Sequence, residues 1–315
     1  MTDNIVKEIC LREFKVLPDS IHRNMTGIAG YVYTIEISNK KYVIKASETK
    51  ELIIGSTYWI NKLDSLDLPI PKICAINTQT SPYYFIMTFL PGKDLGIVYN
   101  DLSNANKESI ANDIYKYQNE ILKLPIASGY GFLISYEDKY NIKKSWREVV
   151  ECHIQRSENR ITQNGIFDKE YVNKARCFVP YFNDYFNTIK PKPFFDDATT
   201  KNVLIDNGKI SGIIDLDWIC FGDRLYVIAL TTMSLINMHT DQEYVEYWKK
   251  LEKLSKTQNN VLLFYILVFC IDFMSEKGMI FNKSEIEITN TNEKAFLENV
   301  FEMYFKKLQL TTAST

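Results

Sequence analysis

No C-x-x-C pair and no Cys–His spacing suited to a metal occurs in this chain, so a sequence-legible dithiol or zinc site is excluded. Its six cysteines, Cys10, Cys74, Cys152, Cys177, Cys220 and Cys270, are widely scattered and read as reduced, buried thiols. Histidine is scarce: His22, His153 and His239 stand alone, and none has a neighbour that makes it an acid, a base or a ligand. Neither sign of charge is in excess, with Lys+Arg 37 against Asp+Glu 39. No basic run is long enough to form a patch, so nucleic acid is not an expected partner. Long apolar runs are also missing. The most apolar, residues 261–271, stops at Asp272, short of the roughly 20 residues that span a bilayer. It reads as a buried helix, and no membrane partner is expected. A charged start followed by an apolar stretch is absent too, so no signal peptide is read and the cytoplasm is the expected compartment. What remains is 315 residues, 46% hydrophobic, enough to bury a large core in one or two domains.

Residues 1–90 mix strand-like alternation, over 32–37, 41–46 and 83–89, with one helix over 50–63. From Ser103 the pattern turns helical: Ile110, Ile114, Tyr117, Ile121 and Leu122 recur at spacings of three and four as one apolar stripe. Further helices are expected over 145–163, 169–188, 226–235, 242–254, 259–275 and 292–308, with a frayed tail from Thr311. The expected fold class is α+β: a small antiparallel-sheet lobe, a large mainly α-helical lobe, and a cleft between them.

The segment 193–223, PFFDDATTKNVLIDNGKISGIIDLDWICFGD, holds most of the chemistry. Two short apolar strands, Val203-Leu204-Ile205 and residues 210–214, flank the turn Asp206-Asn207-Gly208 and predict a hairpin. Asn202 then stands just before the first strand and Asp215 at the end of the second, side by side. A carboxylate and an amide so placed can hold one Mg²⁺, which takes only one or two oxygen ligands from protein. Asp197, on the preceding loop, faces the same place as a base or orienter for an incoming hydroxyl. Asp217 is either a second metal ligand or the outward residue of the I-D-L-D alternation. Taken singly, Asp and Asn beside a hairpin are ordinary turn formers and caps; the set together points to phosphoryl transfer.

This segment resembles the catalytic and metal-binding loops of the aminoglycoside phosphotransferase family, small-molecule kinases with a protein-kinase-like fold. The family string H-G-D-x-x-x-x-N appears here as Phe195-Asp196-Asp197 followed by Asn202. A Phe can brace the loop only by packing, and Asp196 adds a second carboxylate that would raise one of the two pKa values if both face the site. The resemblance implies an N-terminal nucleotide-binding lobe over residues 1–90, a hinge at about 88–93 and a catalytic and substrate-binding lobe over 94–315. Lys45, ending the strand-like Lys41-Tyr42-Val43-Ile44-Lys45, would hold phosphates. Gly27 and Gly30 would let the backbone approach them closely. The backbone of Thr88 and Leu90 would receive the adenine edge. Kinase lysines pair with a helix Glu; the family spacing lands on Ser56, not an acid, so Glu51, ahead of Glu48, is the expected partner unless the pair is absent. Gly222-Asp223 resembles an element that braces the loop after the metal site. Trp218 and Phe221 are candidates for the cleft lining or for the core.

The implied function is transfer of the γ-phosphate of ATP, with Mg²⁺, to a hydroxyl of a small polar molecule, an aminoglycoside antibiotic being the family's suggestion. Choline, amino sugars, amino acids and macrolides are other acceptors for similar folds. Glu158, Asp241, Glu243, Glu246, Asp272 and Glu276 are acids that could meet a cationic acceptor or form a solvated face. The alternative is a nucleotide-binding, pseudokinase-like module with little transferase activity, suggested by Phe195-Asp196 and the missing helix Glu. A protein kinase is disfavoured, since no A-P-E segment follows Asp215. Oligomeric state is not legible.

Overall fold

The computed structural model describes residues 1–24, 30–279 and 291–313. Its N-terminal part is a five-stranded antiparallel sheet. The spatial order is β1 (Ser20–Asn24), β2 (Tyr31–Ile37), β3 (Lys40–Ser47), β5 (Tyr83–Thr88) and β4 (Ile73–Asn77). Alternation along the strands gives the sheet two faces. On one, Tyr33, Ile35, Ile44, Tyr84 and Ile86 close a small core with Val6, Ile9 and Cys10 of α1 (Asp3–Phe14). Burial of Val6 and Ile9 contributes about 1.5–3 kcal/mol each, as an upper estimate. This helix was not expected, because its apolar stripe is short and crowded by charged neighbours.

The other face carries Val32, Lys45 and Phe85, which are register partners across β2, β3 and β5. It is covered by α2 (Lys50–Leu63), placed where the sequence predicts it. Ile53, Trp59, Ile60 and Leu63 of α2 belong with Phe85 to the main core, which continues into the helical part. The Trp59 indole N–H donates to the Leu133 carbonyl at 2.6 Å, so α2 is anchored to the large lobe as well as to the sheet.

Beyond β5 come β6 (Lys93–Asp94), α3 (Leu95–Val98) and α4 (Asn104–Ile121). The Ser103 hydroxyl caps α4 by accepting from the Asn106 amide at 3.2 Å. Next are β7 (Gly131–Leu133), α5 (Trp146–Asn164), α6 (Glu170–Arg176), α7 (Asn183–Thr188) and β8 (Lys192–Phe194). The single helix expected over 169–188 is thus two, parted around Pro180, which has no N–H to continue a helix. The hairpin strands β9 (Val203–Asp206) and β10 (Lys209–Ile213) follow, then β11 (Ile219–Gly222), which pairs with both β7 and β8. The chain ends in α8 (Leu225–Asn237), α9 (Glu243–Glu252), α10 (Lys256–Glu276) and α11 (Thr291–Ala313). Where a frayed tail was expected, α11 runs on to Ala313, and the Thr311 and Thr312 hydroxyls donate to the Leu308 carbonyl.

Helix α10 exceeds the apolar run read from sequence, because a capping box between Ser255 and Gln258 starts it earlier. By length and composition it could cross a membrane. It is instead mostly buried, packed against α5, α8 and α11 as the core of the helical lobe. All six cysteines are free. Cys10, Cys220 and Cys270 are buried as expected, whereas Cys74, Cys152 and Cys177 are exposed.

Gly222 closes β11 against the buried Trp146 ring, and a Cβ there would lie 2.1 Å from the ring carbons. Trp146 is held by its indole N–H on the Tyr265 hydroxyl at 2.6 Å, so it has little room to retreat. Gly222→Ala is therefore expected to cost about 1–3 kcal/mol or more, read as a lowered urea midpoint. An unchanged midpoint would show that the ring can move.

Candidate active site

The hairpin that sets Asn202 beside Asp215 forms for a local reason. Asn207 and Gly208 both take positive φ, 49° and 74°, the two-residue turn that matches strand twist. Val203 pairs with Ile213 and Ile205 with Ile210, with a bulge at Ser211. The segment linking the two lobes is pressed onto this hairpin. Lys93 pairs with Ile205, and Gly92 (φ 119°) sits where a Cβ would be 2.6 Å from Ser211 Oγ. Ser211 Oγ donates to the Pro91 carbonyl, and Ile213 N–H to the Pro69 carbonyl at 2.8 Å.

At the open end of the hairpin, Ile214 N–H donates to the Asn202 carbonyl at 3.0 Å, which sets Asn202 beside Asp215. Asp215 takes φ 62°, a left-handed conformation that Asp tolerates better than most residues. The chain then doubles back so that Asp215 and Asp217 meet one cation. Lys45 Nζ lies 2.6 Å from Asp215 Oδ1 and 2.5 Å from Asp217 Oδ1. The Ser56 hydroxyl donates to the same oxygen of Asp217. Burial alone would lower the Lys45 pKa; the two carboxylates reverse this and raise it. An ammonium has three hydrogens, so one is left over.

Asp197 sits on the loop between β8 and β9. Asn202 Nδ2 donates to the Asp197 carbonyl at 3.0 Å, and Thr199 Oγ1 to Asp197 Oδ1 at 3.0 Å. Phe195 is buried, as packing requires, but a side chain not singled out from sequence holds its backbone. Gln118 of α4 donates to the Phe195 carbonyl at 2.9 Å and accepts from its N–H at 3.0 Å. A signal existed: Gln118 is a polar residue four after Ile114 on the buried stripe. Asp197 opens onto the cleft while protein crowds its other sides. That crowding, with Asp215 nearby, pushes its carboxyl up to about 6 against the Thr199 and Asn202 hydrogen bonds. Asp196 rises further, by burial first and then by repulsion from Asp197 and Asp215. Both acids of the pair are shifted, not one.

Other expected positions divide. Glu51 is exposed in the first turn of α2 and makes no ion pair with Lys45; the two aspartates take that place, a correction to the expected pairing. Gly30 has φ 73°, and a Cβ there would lie 2.7 Å from the Ala46 carbonyl; Gly27 lies outside the described residues. The Thr88 N–H is spent on the Lys72 carbonyl at 2.9 Å, whereas no backbone hydrogen bond to Leu90 is found among the described residues. The sheet face that carries Lys45 also walls a cavity of about 360 Å³, lined by His22, Asn24, Thr34, Glu36, Lys41 and Phe89 among others. Phe221 is core, packed on Trp59 and Tyr136, while Trp218 is exposed. Asp223 braces the segment after the site, accepting from the Tyr185 and Tyr265 hydroxyls at 2.9 Å each. His153 is not isolated, since it contacts Tyr226 and lies 3.1 Å from Asp272. Asp272 also takes Arg156 at 3.0 Å, Glu158 takes Arg176 at 2.6 Å, and Asp241 takes Lys107 at 2.6 Å.

Among the described residues no cluster of three or more His, Cys, Asp or Glu could hold a metal. The donors present nevertheless fit Mg²⁺, which needs few protein ligands. Asp215 is half exposed, and Asn202 spends its nitrogen on the loop, leaving its amide oxygen. A cation, the Lys45 ammonium, already satisfies the carboxylates there.

A sheet lobe and a helical lobe meeting over such a loop and hairpin define a protein-kinase-like phosphotransferase. The phosphotransferase enzyme family matches residues 26–253, and the chain belongs to it. No curated protein matches. Among solved structures, a thermostable mutant of aminoglycoside phosphotransferase APH(4)-Ia in ternary complex with AMP-PNP and hygromycin B aligns with TM-score 0.67 at 16% identity, over 96% of this chain and 98% of that one. The streptomycin–ATP complex of APH(2")-IIa gives 0.62 at 13%, over 96% and 97%. An aminoglycoside phosphotransferase homologue of undemonstrated activity from Ralstonia eutropha JMP134 gives 0.63 at 10%, over 98% of each chain. At such identities the likeness is one of fold.

The Asp197 shift has a consequence for stability. Its folded pKa of about 6 lies above the ordinary 3.8, so the native state holds the proton more tightly than the unfolded chain does. Ionisation therefore works against the fold as pH rises through that window. Asp197→Asn should melt above wild type at neutral pH, with the gap closing below about pH 4. Superimposed melting curves at every pH would remove the crowded-carboxylate account.

Proposed function

We propose that this chain transfers the γ-phosphoryl group of ATP to a hydroxyl of a small polar molecule. The observation that carries the reading is the convergence of Lys45, Asp215, Asn202 and Asp197 at one cleft, from a strand, a hairpin and a loop. Residues 1–90 serve the nucleotide and residues 94–315 the acceptor, with the hinge at about 88–93. The Leu90 N–H and the Thr88 carbonyl face the edge of the base; the Thr88 N–H cannot, being spent on Lys72. The third Lys45 N–H meets a phosphate oxygen. Asn202 and Asp215 hold Mg²⁺, which neutralises charge developing on the transferred group.

Asp197 orients the acceptor hydroxyl and takes its proton late, because a loose transition state needs little prior deprotonation. With its carboxyl near 6, it is ionised at neutral pH and basic enough for the task. Asp196 is shifted upward as well, by burial first and then by the Asp197 charge, which opposes two adjacent charges. Most of the rate enhancement then comes from positioning and electrostatics. An aminoglycoside is the first acceptor to test. The acids that could greet a polycation are largely taken up internally, by Arg156, Arg176 and Lys107, so neutral hydroxyl compounds belong in the same trial.

The test is ATP turnover with Mg²⁺ against aminoglycosides, choline, sugars, amino acids and macrolides. One acceptor should stimulate turnover, and Asp197→Ala should cut that rate by about 10²–10⁴-fold. The wild-type rate should fall as pH drops through about 6. Nucleotide binding with no stimulated turnover, and an Asp197→Ala protein equal to wild type, would instead establish a binding module.

A further inference from the structure

The two carboxylates on Lys45 differ in character. The Asp215 side chain is 49% exposed, whereas those of Asp217 and Lys45 are each 10% exposed. Asp217 is also held from above. Ser56, on the buried face of α2, donates to the Asp217 oxygen that meets Lys45 and is itself seated on the Leu52 carbonyl at 3.0 Å. The helix comes this close because of its neighbour in sequence. A Cβ on Gly55 would lie 2.5 Å from the Asp217 carbonyl oxygen and 3.1 Å from Ile134. With α2 lying directly on residue 217, a short hydroxyl fits at position 56 and a long acidic side chain does not.

We propose that Asp217, fixed by Ser56, is the positioning residue for Lys45, in place of a carboxylate carried by α2. Asp215 is then the exchangeable partner, free to leave the ammonium for a metal ion while Asp217 stays. The larger lobe, not the helix, supplies the charge that orients the phosphate-binding lysine. This assignment rests on the reading of the cleft as a nucleotide site, and it replaces the metal-ligand alternative for Asp217.

Two measurements separate the possibilities. The first needs no nucleotide: the rate of Lys45 acylation by an amine-reactive ester, followed by peptide mass spectrometry. Asp217→Asn should raise that rate on the order of tenfold, Ser56→Ala by less, and Asp215→Asn least of the three. The second is titration of a fluorescent ADP analogue at several Mg²⁺ concentrations. Asp217→Asn should weaken nucleotide binding while leaving the Mg²⁺ midpoint unchanged, whereas Asp215→Asn should move the midpoint. If Asp217→Asn left Lys45 labelling at the wild-type rate, or shifted the Mg²⁺ midpoint as Asp215→Asn does, the assignment would be overturned. Ser56→Ala, a smaller change, decides the labelling arm should Asp217→Asn not fold. Wild-type protein that binds no nucleotide would sink the kinase reading, while the labelling result would still decide the role of Asp217.

Discussion

A lysine buried between two aspartates governs how the lobes meet. Removing charge from water costs several kcal/mol per ion, and it is tolerated only where partners and hydrogen bonds are complete. Here Lys45 comes from β3, Asp215 and Asp217 from the segment after β10, and the Ser56 hydroxyl from α2. Loss of Asp217 would leave the buried ammonium without its buried counter-charge, at a cost of about 3–5 kcal/mol, whereas the half-exposed Asp215 contributes less. The sheet, the helix and the hairpin are therefore bound to one geometry. The rest of the junction complies: Gly55 permits the helix to touch the backbone at residue 217, and Trp59 ties its next turn to Leu133. The segment after β5 is stitched to the same hairpin through Pro91, Gly92 and Lys93.

The loop opposite is held by amides. Gln118 engages both backbone groups of Phe195, and Asn202 engages the carbonyl of Asp197. Since Phe195 itself offers no polar group, the bracing moves from the loop to helix α4. Asp196 and Asp197 stand near Asp215, which with Asp217 holds Lys45. Burial first, and then the charge of neighbouring carboxylates, shifts Asp196 and Asp197 upward. Such a site is preorganised for added positive charge, and its electrostatics would relax when a cation enters.

What the sequence disclosed follows from how local the cause was. The hairpin could be seen because Asn-Gly sets its turn and apolar alternation its strands, and with it came the neighbourhood of Asn202 and Asp215. Helices with full apolar stripes, such as α2 and α5, were equally plain. Long-range partners were not. Nothing near residue 56 reveals that its hydroxyl meets Asp217, 161 residues on. Family spacing found that position and, expecting an acid there, passed over the Ser for the exposed Glu51. Gln118 carried a weak signal as a polar residue on a buried stripe, but its target lies 77 residues away. The small strands β7, β8 and β11 escaped notice because each is only three or four residues long and has no periodicity to show.

The helical lobe obeys a different electrostatic logic from the surroundings of Lys45. Around the lysine, acids outnumber cations; on the helical lobe most acids are spoken for. Asp272 is held well below the usual carboxylate range by His153 and Arg156, and Arg160 lies 3.6 Å away. Asp241 and Glu158 are likewise lowered by Lys107 and Arg176. Glu276, one turn beyond Asp272 on α10, differs. Burial and the Asp272 charge raise its carboxyl, while Arg160, Lys201 and Arg156 pull it down only in part. Lys201 stands in the loop just before Asn202, so the end of α10 feels the charge of that loop. On the proposed reading, an acceptor entering there would meet the guanidinium of Arg156, half exposed, together with Glu276, whose carboxyl burial pushes up. If the proposed acceptor binds there, recognition on that wall would depend on hydrogen bonding and shape more than on a field of negative charge, and a strongly cationic acceptor would have to find its counter-charges elsewhere in the cleft.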